Sequence, residues 1–327
     1  MKLKKILIPA VVAGIVLSII FAKKPGEKIA GSREFRFNYE VKIPEFPASS
    51  GEVDIFVPIP QSDEYQKISG LEISAGTNYE LVNDPEYKNK ILHISLNKNI
   101  PESLTVKLSF NVKRFLIDGG KYEKDTNMLT RFLMPDSLVP IEGIVKEEAE
   151  AVLGNKNLDP LSKAKLLYEH VVDTMKYDKK SNTGWGRGDV LYACDARTGN
   201  CTDFHSLFIG LNRAEKIPSR FVIGFPIPEH KKEGKISGYH CWAEFFTRDK
   251  GWIPVDASEA FKNPDRRKFY FGHLDPNRVS FTIGRDIPLR LSGGKIKKVN
   301  YLIYPYVFVN GKKFDYVQTG FSFKDLN

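Results

Sequence analysis

Three cysteines in 327 residues are too few, and of the wrong parity, for a disulfide framework, because one thiol must stay unpaired inside a monomer. No CxxC or HxxxH spacing occurs, so Cys194, Cys201, His205, His240 and Cys241 do not read as a zinc set although they could supply the ligands, and no metal site is expected. A dense Lys/Arg stripe interleaved with aromatics is also missing, which argues against a nucleic acid partner. Of the net charge of +9, the first 28 residues hold six Lys and one Glu, so the remainder is only mildly basic. There is no internal repeat and no low-complexity tract.

What is present begins with MKLKKILIPAVVAGIVLSIIFAKKP, a basic start followed by an uncharged, mostly apolar run from Ile6 to Ala22. That run is short for a membrane span and long for a signal-peptide core, and both readings imply export. Ile20 stands where signal-peptide cleavage after Ala22 would prefer a small residue, so residues 1–29 are expected to be a signal anchor rather than a cleaved signal peptide. The bulk of the chain would then lie outside the cytoplasm, periplasmic or on the cell surface, held to the membrane by this segment.

Residues 33–43, REFRFNYEVKI, alternate strictly, with Phe35, Phe37, Tyr39, Val41 and Ile43 on one face. EVDIFVPIP, KILHISL and SLTVKLSFNVKRF follow in the same style, and residues 30–118 are expected to form an antiparallel β-sandwich. The polar, glycine-bearing stretch 117–127 marks a boundary. Beyond it the period changes to helical in IEGIVKEEAEAVLG and in LDPLSKAKLLYEHVVDTMKYD, where Asp159 is placed to cap and Pro160 to open a helix. Strand patterns return at RFVIGFPIP, GYHCWAEFFT and GWIPVDAS. Residues 119–285 are thus expected to form an α+β domain, with 286–327, including YVFVNGKKFDYV and its Asn-Gly turn, as a C-terminal β-hairpin extension.

Within that domain GNC sits where a glycine-rich loop enters a helix, since Phe204, Leu207, Phe208, Leu211 and Ala214 recur at helical spacing. Cys201 is therefore expected at a helix N-terminus, where free backbone N–H groups and the positive end of the dipole favour a thiolate. Such a nucleophile needs a base and a group to orient it. If residues 247–250 turn between two strands, Phe246 pairs with Gly251 and His240 falls within one residue of facing Asp256. A bulge could close that offset, and the carboxylate would hold the imidazole in one tautomer.

This order of Cys, His and Asp on helix, strand and adjacent strand, carried by GNCTDFHSLF, RFVIGF, GYHCWAEFF and GWIPVDAS, resembles the transglutaminase-like branch of the papain-like fold over residues 160–260. The resemblance implies Cys201 as nucleophile, His240 as general base and acid, Asp256 as orienting carboxylate, and no cofactor. It also offers Trp185, 16 residues upstream of the cysteine, as a candidate donor to the oxyanion, at a shorter spacing than in the related animal enzymes, with packing or substrate contact as the favoured reading of that residue. Tyr239, Trp242, Trp252 and Phe225 could line a groove, although aromatics at strand spacing are more often core; Trp242, on the same strand face as His240, is the best candidate for a substrate wall, and His205 is read as a polar wall residue or satisfied histidine. If Cys201 is the free thiol, Cys194 and Cys241 can bond and brace the nucleophile loop against the base strand. The expected reaction is thiol-based acyl transfer from a peptide or isopeptide amide in the cell envelope to water, with transfer to an amine, or a non-catalytic scaffold, as alternatives.

Overall fold

A computed structural model describes residues 31–48, 50–120, 128–178 and 184–326; the proposed signal anchor lies outside them. Among the described residues no helix is long and apolar enough to cross a membrane.

The alternating segment forms strand Ser32–Ile43, and its five apolar side chains are all but fully buried. It pairs along its whole length with Leu104–Phe115, in antiparallel register Phe37 with Phe110. The sheet built on this pair runs in the order Glu233–Lys235, Gln318–Asp325, Ser32–Ile43, Leu104–Phe115, Gln66–Ser74. A second five-stranded sheet runs Lys312–Phe314, Tyr306–Val309, Val53–Ile59, Lys90–Leu96, Glu80–Asn83. Every residue of Val53–Ile59 is buried. Val53, Ile55, Val57 and Ile59 join the main core, whereas Phe56 packs into a second cluster with Phe308 and Trp252. Burial on both faces explains why this strand lacks polar alternation.

The structure corrects the expectation for residues 286–327. The Asn-Gly hairpin exists, with both turn residues at positive φ (Asn310 49°, Gly311 71°). Its strands, however, do not stand apart as an extension: Tyr306–Val309 pairs with Val53–Ile59, and Gln318–Asp325 pairs with Ser32–Ile43. The end of the chain therefore supplies strands that the N-terminal stretch needs to cover its own edges.

Between these stretches lies a four-stranded antiparallel sheet in the order Gly251–Val255, His240–Thr247, Ser219–Pro226, Arg278–Ile283. Helices Ile144–Leu153 and Pro160–Thr174 pack with helix Cys201–Ala214 on it. Asp159 caps the second helix as expected, its Oδ1 accepting from Ser162 N at 3.0 Å. The stripe Phe204, Leu207, Phe208 and Leu211 is fully buried, but so is the polar flank Thr202, His205, Ser206 and Arg213. A helix sealed all round needs its polar groups partnered. Arg213 donates to Asp136 Oδ2 at 2.6 Å and Ser219 O at 2.9 Å, and Ser206 Oγ accepts from Arg285 Nη1 at 2.6 Å. The helix is thus a central post, and its first residue is fixed by everything around it.

Candidate active site

Cys201 is the first residue of that post. Asn200 Oδ1 accepts from Thr202 N at 2.8 Å and Asp203 Oδ2 accepts from Asn200 N at 2.9 Å, so the helix start is tied from both sides. Asp203, fully buried, also receives Gly186 N at 2.6 Å and Gly188 N at 3.0 Å. The glycine at 188 is obligatory: its φ is 64° and a Cβ there would lie 2.4 Å from Ser206 Oγ. This clamp places Trp185 in the wall of a pocket of about 330 Å³ that opens on Cys201, with Tyr177, Tyr239 and Tyr304 as further aromatic walls. Tyr239 is held by its hydroxyl, 2.8 Å from Thr202 Oγ1 and accepting from Asn200 Nδ2 at 3.2 Å.

His240 opens its strand, and Asp256 directly follows the next one, Gly251–Val255. The register differs from expectation by one residue: Thr247 pairs with Gly251 and Phe246 with Trp252, and the pairing stops at Ala243 with Val255. No bulge closes the offset. The chain instead leaves the sheet at Asp256, which caps helix Ala257–Lys262 through Oδ1 (Glu259 N at 3.0 Å, Ser258 Oγ at 3.2 Å) and turns Oδ2 to His240 Nε2 at 2.7 Å. Arg278 Nη1 donates to the same Oδ2 at 3.0 Å. With Nε2 on the carboxylate, Nδ1 is the ring nitrogen left for Cys201, whose sulfur helps to hold the imidazole protonated.

The electrostatics follow from this geometry. Burial alone would raise the Asp256 carboxyl, but the His240 and Arg278 charges and the hydrogen bonds hold it well below the usual carboxylate range. Burial would likewise lower His240, yet the Asp256 charge and hydrogen bond outweigh it and push the imidazole up to about 10. The Cys201 thiol is lowered well below its ordinary value, first by a hydrogen bond from Cys241, against burial, and then by His240. The arrangement favours a thiolate and an imidazolium side by side, at residues 3% and 7% exposed and backed by a carboxylate that is fully buried.

Two expectations are corrected. Cys194 and Cys241 are free thiols. Cys194 lies on helix Val190–Ala196 against Glu148, where burial and that carboxylate push its thiol up to about 12. Cys241 Sγ instead faces the post helix, 3.6 Å from His205 Nδ1 and 3.8 Å from Thr202 Oγ1. Trp242, the best candidate for a substrate wall, is 1% exposed and does not line the pocket, in keeping with the core placement usual for aromatics at strand spacing. It lies deeper on the sheet face, its ring 6.5 Å from that of His240 and flanked by the Arg114 and Arg278 guanidinium groups at 5.8 and 5.2 Å.

Sequence reasoning missed Asp203 and Arg278. Asp203 carried a readable signal, since Asn-x-x-Asp at a helix start is a capping pattern. Arg278 carried none, because its contact with Asp256 spans 22 residues and depends on the sheet order. His205 is fully buried, and its Nε2 accepts from Ala257 N at 3.1 Å.

Residues 149–257 match the sequence profile of the transglutaminase-like superfamily. An uncharacterized protein of Haemophilus influenzae is 28% identical over 337 aligned positions, covering 87% of this chain and 90% of its own. The fold superposes on a protein from Cytophaga hutchinsonii, provisionally named a cysteine protease, with a TM-score of 0.60 at 15% identity over 91% of this chain and 92% of that one. The periplasmic domain of TgpA from Pseudomonas aeruginosa aligns with a TM-score of 0.40 at 15% identity over 72% and 91%.

Proposed function

Starting from a chain that carries a transglutaminase-like core, we propose that it is a cysteine hydrolase that cleaves a peptide or isopeptide amide through a thioester. The observation that carries this reading is the 2.7 Å contact of His240 Nε2 with Asp256, which leaves Nδ1 for the thiol at the start of the post helix. In the first step the Cys201 thiolate attacks the amide carbon, forming a C–S bond as the carbonyl electrons move to oxygen. The oxyanion lies at the positive end of the helix, with the Cys201 backbone N–H as donor and the indole of Trp185 across the pocket as the second. His240 gives its Nδ1 proton to the leaving nitrogen, the C–N bond breaks and the amine departs. Water then attacks the thioester, His240 takes its proton, and the acid and thiolate are released. Asp256 keeps the imidazole oriented and its charge compensated throughout.

The basic start and the apolar run of residues 6–22 support placing this site outside the cytoplasm, with envelope peptides or proteins as substrates. The test is the pH dependence of iodoacetamide labelling at Cys201, read by peptide mass spectrometry, in wild type and in His240→Ala. Labelling that titrates well below an ordinary thiol, at about 8.5, and moves upward in the variant is the expected result. An ordinary titration indifferent to His240 would sink the catalytic reading and favour a binding or scaffold role.

A further inference from the structure

A groove of about 1110 Å³ runs across the first five-stranded sheet, larger than the range of about 300–1,000 Å³ usual for a single small ligand. Asn38, Ser109 and Ser322 lie on its floor in one row across three strands, in register with one another. Tyr301, Tyr304 and Tyr306 stand in its walls. The groove adjoins the Cys201 pocket. Tyr304 lines both, and the two loop segments that wall the pocket, at Trp185 and Gly186 and at Gly238 and Tyr239, run directly into groove-lining residues at Arg187 and at Lys235, Ile236 and Ser237.

The charges of the groove are unequal in a specific way. Each of its carboxylates is already matched: Glu40 with Lys107 at 3.3 Å, Glu72 with Arg36 at 2.7 Å, and Asp315 with Lys313 at 2.5 Å. Arg187 and Lys235, by contrast, form no ion pair among the described residues, and Arg187 follows Gly186 of the cysteine pocket while Lys235 lies on the segment leading to Gly238 of that pocket. Arg187 is carried on a fixed backbone, its carbonyl accepting from Asn300 Nδ2 at 2.8 Å and Arg285 Nη2 at 3.0 Å. The groove therefore lacks an anion close to the point where the reacting bond must sit.

We infer that this groove seats the polypeptide flanking the reacting amide, and that the segment it takes carries a carboxylate placed to meet Arg187 and Lys235 at the mouth of the pocket. This rests on the hydrolase reading above. A polymer suits the volume, an amide substrate suits a peptide, and a row of polar side chains between tyrosines suits an extended chain that hydrogen-bonds on one side and packs on the other. Because both cations are exposed, their pull is modest and weakens with salt.

The test uses the full-length chain and protection of Cys201 from iodoacetamide by two acetylated heptapeptides, identical except that one carries two Asp where the other carries Asn. The acidic peptide is expected to protect at a concentration about 3–10-fold lower. In the double variant Arg187→Gln, Lys235→Gln that advantage, each peptide compared with unprotected labelling of the same variant, should fall to within about twofold. Asn38→Trp, which fills the floor of the groove at an exposed strand position, should abolish protection by the heptapeptides. Equal protection by the two peptides, an advantage that survives the double variant, or protection indifferent to Asn38→Trp would each overturn the inference. The labelling profile without peptide reports the thiolate independently, so loss of the hydrolase reading and loss of the groove reading give different results.

Discussion

Asp256 has a cysteine and a histidine on each side, and the two pairs behave in opposite ways. On the pocket side, Oδ2 holds His240 at 2.7 Å and His240 reaches Cys201. On the sealed side, Oδ1 lies 3.5 Å from His205, whose other nitrogen is 3.6 Å from Cys241. The residue types are the same, yet Cys201 is driven toward the thiolate while burial, and then the neighbouring Cys201, push Cys241 well above the ordinary thiol range. The difference lies in proton direction. His240 gives Nε2–H to the carboxylate, whereas His205 Nε2 receives the N–H of Ala257 at 3.1 Å, so that nitrogen carries no proton and the 3.5 Å approach is no hydrogen bond. His205 must then use Nδ1–H toward Cys241 Sγ, which leaves the Cys241 proton to be shared between Thr202 Oγ1 at 3.8 Å and the neighbouring Cys201. Cysteine, histidine and aspartate in contact do not by themselves make a nucleophile. A helix start, an open pocket and a correctly aimed imidazole do.

The strongest way to break this comparison is to remove what the two pairs share. Asp256→Asn should lower turnover of any amide substrate by about two to four orders of magnitude, because the imidazole loses the charge that holds its tautomer and its proton. It should also cost stability, by less than the about 3–5 kcal/mol of a fully orphaned buried charge, since the Arg278 guanidinium loses Asp256 but keeps Asp275 Oδ2 at 3.4 Å. Denaturant midpoints and labelling of Cys201 read the two effects separately. Near-wild-type labelling in a folded variant would remove Asp256 from the site.

A smaller effect sharpens the same contrast through pH. The folded imidazole of His240 sits at about 10, above an unfolded value of about 6.5. Its stabilisation is therefore complete below about 6.5 and is lost as pH rises through about 10. Asp256 works in the other direction: its depressed carboxyl contributes above an unfolded value of about 3.9 and loses that contribution as pH falls through the folded value. Unfolding midpoints should therefore decline toward both ends of this window, and His240→Gln should flatten the alkaline limb. An alkaline limb that survives the substitution would show that another group dominates it.

How much of this was legible in the sequence depended on how local the cause was. Phe35 to Ile43 announced a strand by alternation, and the run from Phe204 to Leu211 announced a helix whose start fell at Cys201. Those patterns brought Cys201, His240 and Asp256 together in outline. The pairing register was missed by one residue, because the turn length fixes register and the turn at 247–251 carries no Asn-Gly signal. Trp242 obeyed the two-residue period, but sharing a face with His240 placed it deeper in the core, since the pocket is lined by Gly238 and Tyr239, just before the strand begins. The proposed bond between Cys194 and Cys241 failed for a similar reason. Parity of cysteines says nothing about which side chains share a cavity. The closing strands at the C-terminus were recognisable as strands, but a period of two cannot name the sheet that a strand will join.

The finest test of the comparison acts on the sealed pair alone. Cys241→Ala removes the proton donated to Cys201 and should raise the labelling midpoint of Cys201 by less than about one pH unit, because a thiol is a weak donor. Cys241→Ser keeps a donor, a stronger one, in nearly the same place, and should restore the low midpoint or pass below it. Both substitutions disturb a fully buried position and both should cost some stability, so a loss of stability common to the two does not bear on the question. Only the labelling midpoint separates them. If alanine and serine shift it equally, the sealed pair is packing, and the asymmetry across Asp256 rests on the helix start and the pocket alone. If serine rescues it, Cys241 is a positioning residue, and the second cysteine–histidine pair serves the first by aiming one proton at it.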